Sequence, residues 1–443
     1  MSAKTQKVVV LGAGKSGLAA AKFLADQGSD VVLSDSRPES EISGLESLPG
    51  SVKRVLGAHP ASLMDDRPDF VVLSPGIPTT APIVRRAHSA SIPVISEIEL
   101  AFRNLKGRVV AITGSNGKST TTALVGEILR IGGQQPIVAG NIGDPLISAI
   151  DTASRTYVIE LSSFQLETVE TFRADIAMLL NITPDHMDRY TTLDDYATAK
   201  LRIFQHQRYE DLAIVNADDL RTANPPTKAR VWRFSSTQSV EEGAFQEGQD
   251  LVIRTDGKER RIPRASLTLS GVANVENALA SWLAARALGV SDVDVQIAFG
   301  SFAGLPHRMV LVRELDGVLW INDSKGTNVD ATLKSLQGLD DGSVLLILGG
   351  KDKHGEFERL QEVVRKKVCL LITIGSASAR IVEALGKTVS TEEMGDMKRA
   401  VEHARKKAKK GETVLLSPAC ASFDQYKNFE ERGRNFEELV MAL

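Results

Sequence analysis

The sequence predicts an α/β protein of three consecutive domains: a Rossmann-like first domain, a P-loop mononucleotide-binding central domain and a Rossmann-like last domain. Three observations predict it. An apolar strand, Val8-Val-Val-Leu11, runs into Gly12-Ala-Gly-Lys-Ser-Gly17. A second apolar strand, Val109-Val-Ala-Ile112, runs into Thr113-Gly-Ser-Asn-Gly-Lys-Ser-Thr120. Beyond each turn, strand-like and helix-like segments alternate, the pattern of parallel sheets with helices on both faces.

The bulk properties agree with this class. A chain of 443 residues accommodates about three domains of ~150 residues. Hydrophobic content of 42% and charged content of 25% are those of a globular protein. A formal net charge of -3 argues against a basic face for nucleic acid. No apolar stretch reaches the ~18 residues of a membrane span, and the N-terminus enters a strand rather than a signal peptide. The two cysteines, Cys369 and Cys420, form no metal motif. They are expected as buried thiols in a reduced, cytoplasmic protein.

The first module, 1–96, contains the Gly-x-Gly-x-x-Gly turn, a helix over 18–27, a strand Val31-Val-Leu-Ser-Asp35, a strand Phe70-Val-Val-Leu73 followed by Ser74-Pro-Gly76, and a last strand near Pro93-Val-Ile95. A full dinucleotide fold has two mononucleotide halves, and this module has little more than one. A nucleoside diphosphate therefore suits it better than NAD. The glycine turn, with Gly14, Lys15 and Ser16, would seat the pyrophosphate at a helix N-terminus. Asp35, beside Ser36 and Arg37, would accept from a uridine or ribose group. Ser74, Pro75 and Gly76 would close the other side.

The second module, 97–304, holds the phosphate cradle. Backbone N–H groups of Gly114, Ser115, Asn116 and Gly117 would face phosphate oxygens. Lys118 would supply a mobile cation, and Ser119 or Thr120 an oxygen for Mg²⁺. Its loop is one residue shorter between the glycines than the usual P-loop. Strands follow at 157–160, 176–181 and 213–216, and polar residues collect at their carboxyl ends, where ligands bind in such sheets. Residues 229–269 read as an insertion of short antiparallel strands with Asp-Gly turns. The third module, 305–443, has strands at 318–321, 343–348, 368–374 and 413–416 with helix-like segments between them.

Taken in order, these motifs continue with Gly140-Asn-Ile-Gly143, Glu160-Leu-Ser-Ser163, Asn181-Ile-Thr-Pro-Asp-His186, Leu305-Pro-His-Arg308, Asn322-Asp-Ser-Lys-Gly-Thr-Asn328 and Leu416-Ser-Pro-Ala-Cys-Ala-Ser-Phe-Asp424. Over essentially its whole length the chain resembles the Mur ligase family, in which the shortened phosphate loop is usual. The resemblance implies an ATP-dependent amide ligase of peptidoglycan precursor synthesis, acting through an acyl phosphate. An Asp-Asn-Pro-Arg motif of the diaminopimelate-adding members is absent. That favours the members that add D-glutamate to UDP-N-acetylmuramoyl-L-alanine, acting as monomers.

The resemblance also implies roles. Lys118, Glu160, His186 and Lys200 would be catalytic, with Ser119, Glu160, His186 and a carbamylated Lys200 holding two Mg²⁺ ions. By its position alone Lys200 reads as a surface lysine on an amphipathic helix. Asn141 and Ser162 would orient the UDP-sugar substrate, or else satisfy turns. Asn274 would meet adenine, its plain alternative being a helix N-cap. Arg308, Asp323 and Lys325 would complete the ATP contacts. His186, Thr327, Lys351, Ser417 and Phe423 would hold D-glutamate: a cation, hydroxyls and an aromatic wall suit a small dicarboxylate. An NAD-dependent oxidoreductase would use Gly12 to Gly17 and Asp35 but leave the second cradle idle. A phosphate-loop switch would give no role to Lys351, Ser417 and Phe423. Folylpolyglutamate synthase would lack the first module.

Overall fold

The computed structural model describes residues 5–269 and 271–443. The chain packs as two compact units, one of residues 1–182, 194–266 and 276–300, the other of 183–193, 267–275 and 301–443.

The first unit carries two sheets. Strands β1 (Lys7–Leu11), β2 (Asp30–Asp35), β3 (Lys53–Leu56), β4 (Phe70–Leu73) and β5 (Val94–Ser96) form a parallel sheet in the order β3-β2-β1-β4-β5. The chain steps outward from β1 to β3, then crosses to β4. This reversal sets the turns after β1 and β4 side by side, where a ligand crevice is expected. Valines and leucines of β1 and β4 pack with Ile83, Val84 and Ala87 of the helix Pro82–Ser89. Each of these valine, leucine and isoleucine side chains contributes about 1.5–3 kcal/mol by leaving water. The helix Lys15–Asp26 buries Gly17, Ala20, Ala21 and Leu24, one face at helical spacing. Gly17 permits that approach: a Cβ there would stand 1.8 Å from the Gly12 carbonyl oxygen.

The second sheet has nine strands. They are β6 (Gly107–Thr113), β7 (Ile137–Gly140), β8 (Arg155–Glu160), β9 (Ile176–Leu179), β10 (Leu212–Asn216), β11 (Arg230–Ser235), β12 (Gly243–Glu247), β13 (Asp250–Thr255) and β14 (Lys258–Pro263). The order is β14-β13-β12-β11-β10-β9-β6-β8-β7. The expected antiparallel insertion over 229–269 is corrected here. β11 and β12 continue the parallel sheet, and β13 alone is reversed, pairing antiparallel with β12 on one side and β14 on the other. The β13–β14 hairpin does turn at Asp256-Gly257, both at positive φ. The helix Glu97–Phe102 links the two sheets. Glu99, fully buried, accepts the N–H groups of Glu170, Thr171 and Phe172 and the Arg103 guanidinium. Its neighbour Glu97 accepts from Ile147 N at 2.7 Å, while its Oε2 is buried without a hydrogen-bond partner. Burial pushes the Glu97 carboxyl up to about 7, opposed only by the Ile147 N–H.

The second unit holds a six-stranded sheet of β15 (Val310–Leu315), β16 (Val318–Asn322), β17 (Val344–Gly349), β18 (Val368–Ile374), β19 (Thr391–Gly395) and β20 (Thr413–Leu416). The order is β15-β16-β20-β17-β18-β19, with only β15 antiparallel. The last strand inserts between β16 and β17, so three strand-end loops converge: after Asn322, after Gly349 and after Leu416. Cys420 is buried as expected, but Cys369 is exposed, because it lies one residue into β18, short of the continuously covered stretch that begins at Leu370. Among the described residues, no helix is long and apolar enough to cross a membrane.

Candidate active site

In the first sheet the two glycine-bearing turns meet. Ser74 Oγ donates to the Gly12 carbonyl at 3.0 Å, so the hydroxyl braces the turn. Gly14 and Lys15 are exposed at the start of the helix Lys15–Asp26, which has no side-chain cap. Its first N–H groups and the positive end of its dipole suit a pyrophosphate. Asp35 differs from expectation. Its Oδ1 accepts from Arg37 N and Nε, and its Oδ2 from Ala13 N at 2.7 Å and Arg37 Nη2. Burial would raise this carboxyl, but Arg37 and the backbone N–H groups hold it down to about 2. Both oxygens are filled from within, so Asp35 ties the strand β2 to the glycine turn. Arg37, with a side chain 44% exposed, is the more open of the two.

In the second sheet, β6 lies between β8 and β9, and its loop is held from both sides. On one side, Ile112 pairs with Glu160 in the strand register. On the other, Ser115 N donates to Asn181 O, Asn116 N to Asn181 Oδ1, and Asn181 Nδ2 back to Asn116 O. Gly117, at φ +87, is the N-cap of the helix Lys118–Ile131, a left-handed position that glycine alone takes at little cost. Asn277 Oδ1 stands where a Cβ on Gly117 would fall, 2.4 Å away, and accepts from Thr121 Oγ1. Lys118 Nζ donates to the Gly114 and Ser115 carbonyls at 2.8 Å each, which holds the ammonium over the loop. Ser119 and Thr120 are buried at its base. Asn181 was not given a site role from sequence, although it ends a strand within a quoted motif, and of the Asn274-x-x-Asn277 pair only Asn274 was. Strand-end position was the available signal for Asn181, and the opening of a helix for Asn277.

Glu160 is 2% exposed. Its Oε1 accepts from Asn141 Nδ2 at 2.8 Å, and its Oε2 is buried without a hydrogen-bond partner. A buried carboxylate oxygen with no donor is costly, and a hard cation is the partner such an oxygen suits. Asn141 thus orients Glu160 directly. Ser162 proves to be an N-cap in a full capping box with Gln165, the turn-satisfying alternative. The surface reading of Lys200 is corrected: it is 1% exposed, lies over the Tyr196 ring, and donates to the Gly114 carbonyl at 2.9 Å. Tyr196 and Lys200 are one helical turn apart on the helix Leu193–Leu201, and that shared face is the buried one. The N-cap alternative for Asn274 is also corrected. The helix runs Val272–Ala287, so Asn274 lies inside its first turn.

In the second unit, Asp323 is buried and its Oδ2 accepts from Ser335 Oγ and Ser417 Oγ. Burial raises its carboxyl, with Arg308 and these hydroxyls opposing. Ser417, expected to meet an amino acid, is fully buried and spends its hydroxyl on Asp323. Lys351 is exposed, and its backbone pairs doubly with Ala421, which brings the Lys351 loop beside Phe423. Phe423 is 67% exposed. Lys325 Nζ lies 4.9 Å from the Phe429 ring, and Thr327 is half-buried on the same loop. Arg432, fully buried, donates to Ser324 Oγ and O and to the Cys420 and Ala421 carbonyls, binding two of the three loops together.

His186 packs in this unit, at φ +58. Its N–H donates to Asp185 Oδ1 at 2.8 Å. Burial would raise Asp185, but Lys353 beside it holds the carboxyl far below the usual range. Among the described residues no group of three or more His, Cys, Asp or Glu side chains is gathered as a metal cluster.

Comparison with known proteins extends this picture. The Mur ligase MurD-like N-terminal domain matches residues 6–96, the Mur ligase middle domain 112–285, and the Mur ligase glutamate ligase domain 307–420. The UDP-N-acetylmuramoylalanine–D-glutamate ligase of Syntrophotalea carbinolica is 44% identical over 98% of this chain and 97% of its own. That of Koribacter versatilis is 43% identical over 100% and 99%. The crystal structure of UDP-N-acetylmuramate-alanine ligase MurC from Thermotoga maritima aligns with a TM-score of 0.64 at 19% identity, covering 99% of each chain. That last likeness speaks to the fold.

Proposed function

The chain belongs to the Mur ligase family, and we infer from that premise that it joins D-glutamate to UDP-N-acetylmuramoyl-L-alanine at the expense of ATP, in peptidoglycan synthesis. Likeness to D-glutamate ligases along the full length carries the substrate assignment. The pairing of the phosphate loop with the buried, half-satisfied Glu160 carries the chemistry.

A carboxylate repels nucleophiles until it is phosphorylated to a mixed anhydride. The alanyl carboxylate attacks the γ-phosphorus of ATP, ADP leaves, and an acyl phosphate forms. The neutral amine of D-glutamate then adds to the acyl carbon. The tetrahedral intermediate collapses with loss of phosphate and a proton, leaving an amide. The protein supplies positioned cations and donors to the anionic groups. Lys118 and the N–H groups of 114–120 hold the phosphates. Asn181 and Asn277 keep that loop in shape. The orphaned Glu160 oxygen fits a divalent cation, and Ser119 or Thr120, His186 and a carbamylated Lys200 would complete the two Mg²⁺ sites. Bound there, Mg²⁺ would neutralise charge on the transferring phosphoryl group.

The same reading takes 1–96 as the UDP-sugar domain, 97–304 as the ATP domain and 305–443 as the amino-acid domain, in a monomer of the cytoplasm. Gly14, Lys15, Ser16, Ser36 and Arg37 would meet the UDP group. Asn274, Arg308, Asp323 and Lys325 would meet ATP, and Thr327, Lys351 and Phe423 D-glutamate. Phosphate release from ATP and Mg²⁺ tests it, with the UDP-sugar and D-glutamate added singly and together. Release requiring both, with L-glutamate inert, is expected. Release independent of the UDP-sugar would overturn the assignment.

A further inference from the structure

The amino ends of β6 and β8 border a cavity of about 370 Å³, lined by Arg108, Gln135, Ser154, Arg155 and Thr156. Both strands run away from it, one to Thr113 and the phosphate loop, the other to Glu160. The cavity therefore lies at the opposite edge of the sheet from the candidate active site, and the ligase reaction gives it no role.

Every side chain in this lining can donate a hydrogen bond, and none is a carboxylate. Arg108 and Thr156 are register partners on adjacent parallel strands, so their side chains leave the same face of the sheet. Arg155 is held from two sides. Its Nε donates to Asp151 Oδ2 at 2.8 Å, and its Nη1 to Gln135 Oε1 at 2.6 Å. These bonds fix the guanidinium plane and leave Nη2 to spare. Gln135 spends its oxygen on Arg155 and keeps its amide N–H groups.

Two acids stand on the same edge, and both are engaged. Asp151 accepts from Ala153 N at 3.1 Å as well as from Arg155, and Asp175 accepts from Val109 N at 2.7 Å. Asp151 balances Arg155, but among the described residues the Arg108 guanidinium has no hydrogen-bond or ion-pair partner. Lys106, whose carbonyl accepts from Arg155 N, brings a further cation to this edge. The lining is thus positive and all donor, in a chain whose formal net charge is -3. Such a lining suits an oxyanion, and guanidinium forks match phosphate in particular. The volume is that of a small-ligand site.

We propose that this cavity binds a small phosphate-bearing anion, with Arg108 as its principal cation and Arg155 as the oriented donor beside it. The site is separate from both glycine turns.

The experiment titrates inorganic phosphate, and in a second arm glycerol 3-phosphate, into ¹⁵N-labelled protein at constant ionic strength. UDP, Mg²⁺ and a non-hydrolysable ATP analogue are present in excess throughout, so that the glycine turns are filled. Backbone amide shifts over 106–108 and 154–156 should saturate, with a dissociation constant on the order of 1 mM or tighter. Arg108→Gln should weaken binding by about tenfold or more, and Arg108→Lys, which keeps the charge, by less. Because Arg108 is exposed and unpaired, both variants should melt with the wild type. Tighter binding of glycerol 3-phosphate would identify a phosphomonoester as the ligand, and equal or weaker binding the free ion. Shifts that rise without saturating, or a saturable response that Arg108→Gln leaves unchanged, would overturn the proposal.

Discussion

Lys200 Nζ donates to the carbonyl of Gly114 at 2.9 Å, which fastens the helix Leu193–Leu201 to the first glycine of the phosphate loop. A lysine in this position puts positive charge behind the loop, and its carbamate would reverse that sign and offer oxygens to a cation. Protein equilibrated with ¹³C-bicarbonate should show a carbamate carbon resonance that Lys200→Arg lacks. The variant should retain a donor for Gly114 yet lose activity on the order of 100-fold. A fully active wild type without the resonance would remove the carbamate from the mechanism.

Glu160 separates catalysis from stability. Its Oε2 is buried without a hydrogen-bond partner, so the charge is a burden on the fold unless a cation shares it. Glu160→Gln should leave the melting temperature unchanged or raised while kcat falls on the order of 100-fold or more. Calorimetry paired with phosphate-release kinetics reads both. Equal losses of stability and activity would make the residue structural.

Asn181 makes two side-chain bonds to the Asn116 backbone. Asn181→Ala takes those bonds from the half-buried backbone of Asn116, at a cost of about 1 kcal/mol. The loop should lose its shape before the sheet does, so KM for ATP should rise about tenfold. Nucleotide titration by calorimetry would check this, and an unchanged ATP affinity would show that the glycines hold the loop alone.

Glu97 should make stability depend on pH. Its folded carboxyl titrates near 7 rather than at its ordinary 4.5. Between those values the unfolded chain is ionised while the folded one keeps the proton. The contribution is therefore full below about 4.5 and lost as pH rises through 7, a change of about 3 kcal/mol. Glu97→Gln should flatten denaturation midpoints between pH 5 and 8 on this account, in roughly that window. Parallel curves for the variant and the wild type would refute it.

The interior strands were legible because they are apolar runs closed by glycine or by a polar strand end. β18 and β20 fall where the sequence put them, and so do both glycine cradles. The edge strands β3 and β19 were not, since strands such as Lys53-Arg-Val-Leu56 and Thr391-Glu-Glu-Met-Gly395 bury one side at most and carry no apolar run. The strands over 230–247 were visible as strands, but their direction was not. Parallel or antiparallel pairing is chosen by a partner distant in the chain.

The sequence by itself determined the class of the protein, its phosphate loops and the residue types at its strand ends, because those depend on neighbours a few positions apart. Only the tertiary structure decided which of these side chains are already spent. It turned Lys200 inward, gave the Ser417 hydroxyl to Asp323, filled Asp35 with Arg37, and left one oxygen of Glu160 without a hydrogen-bond partner. The physical reason is that burial and hydrogen-bond satisfaction are settled between segments far apart in sequence. A single residue letter does not record which partner it will find.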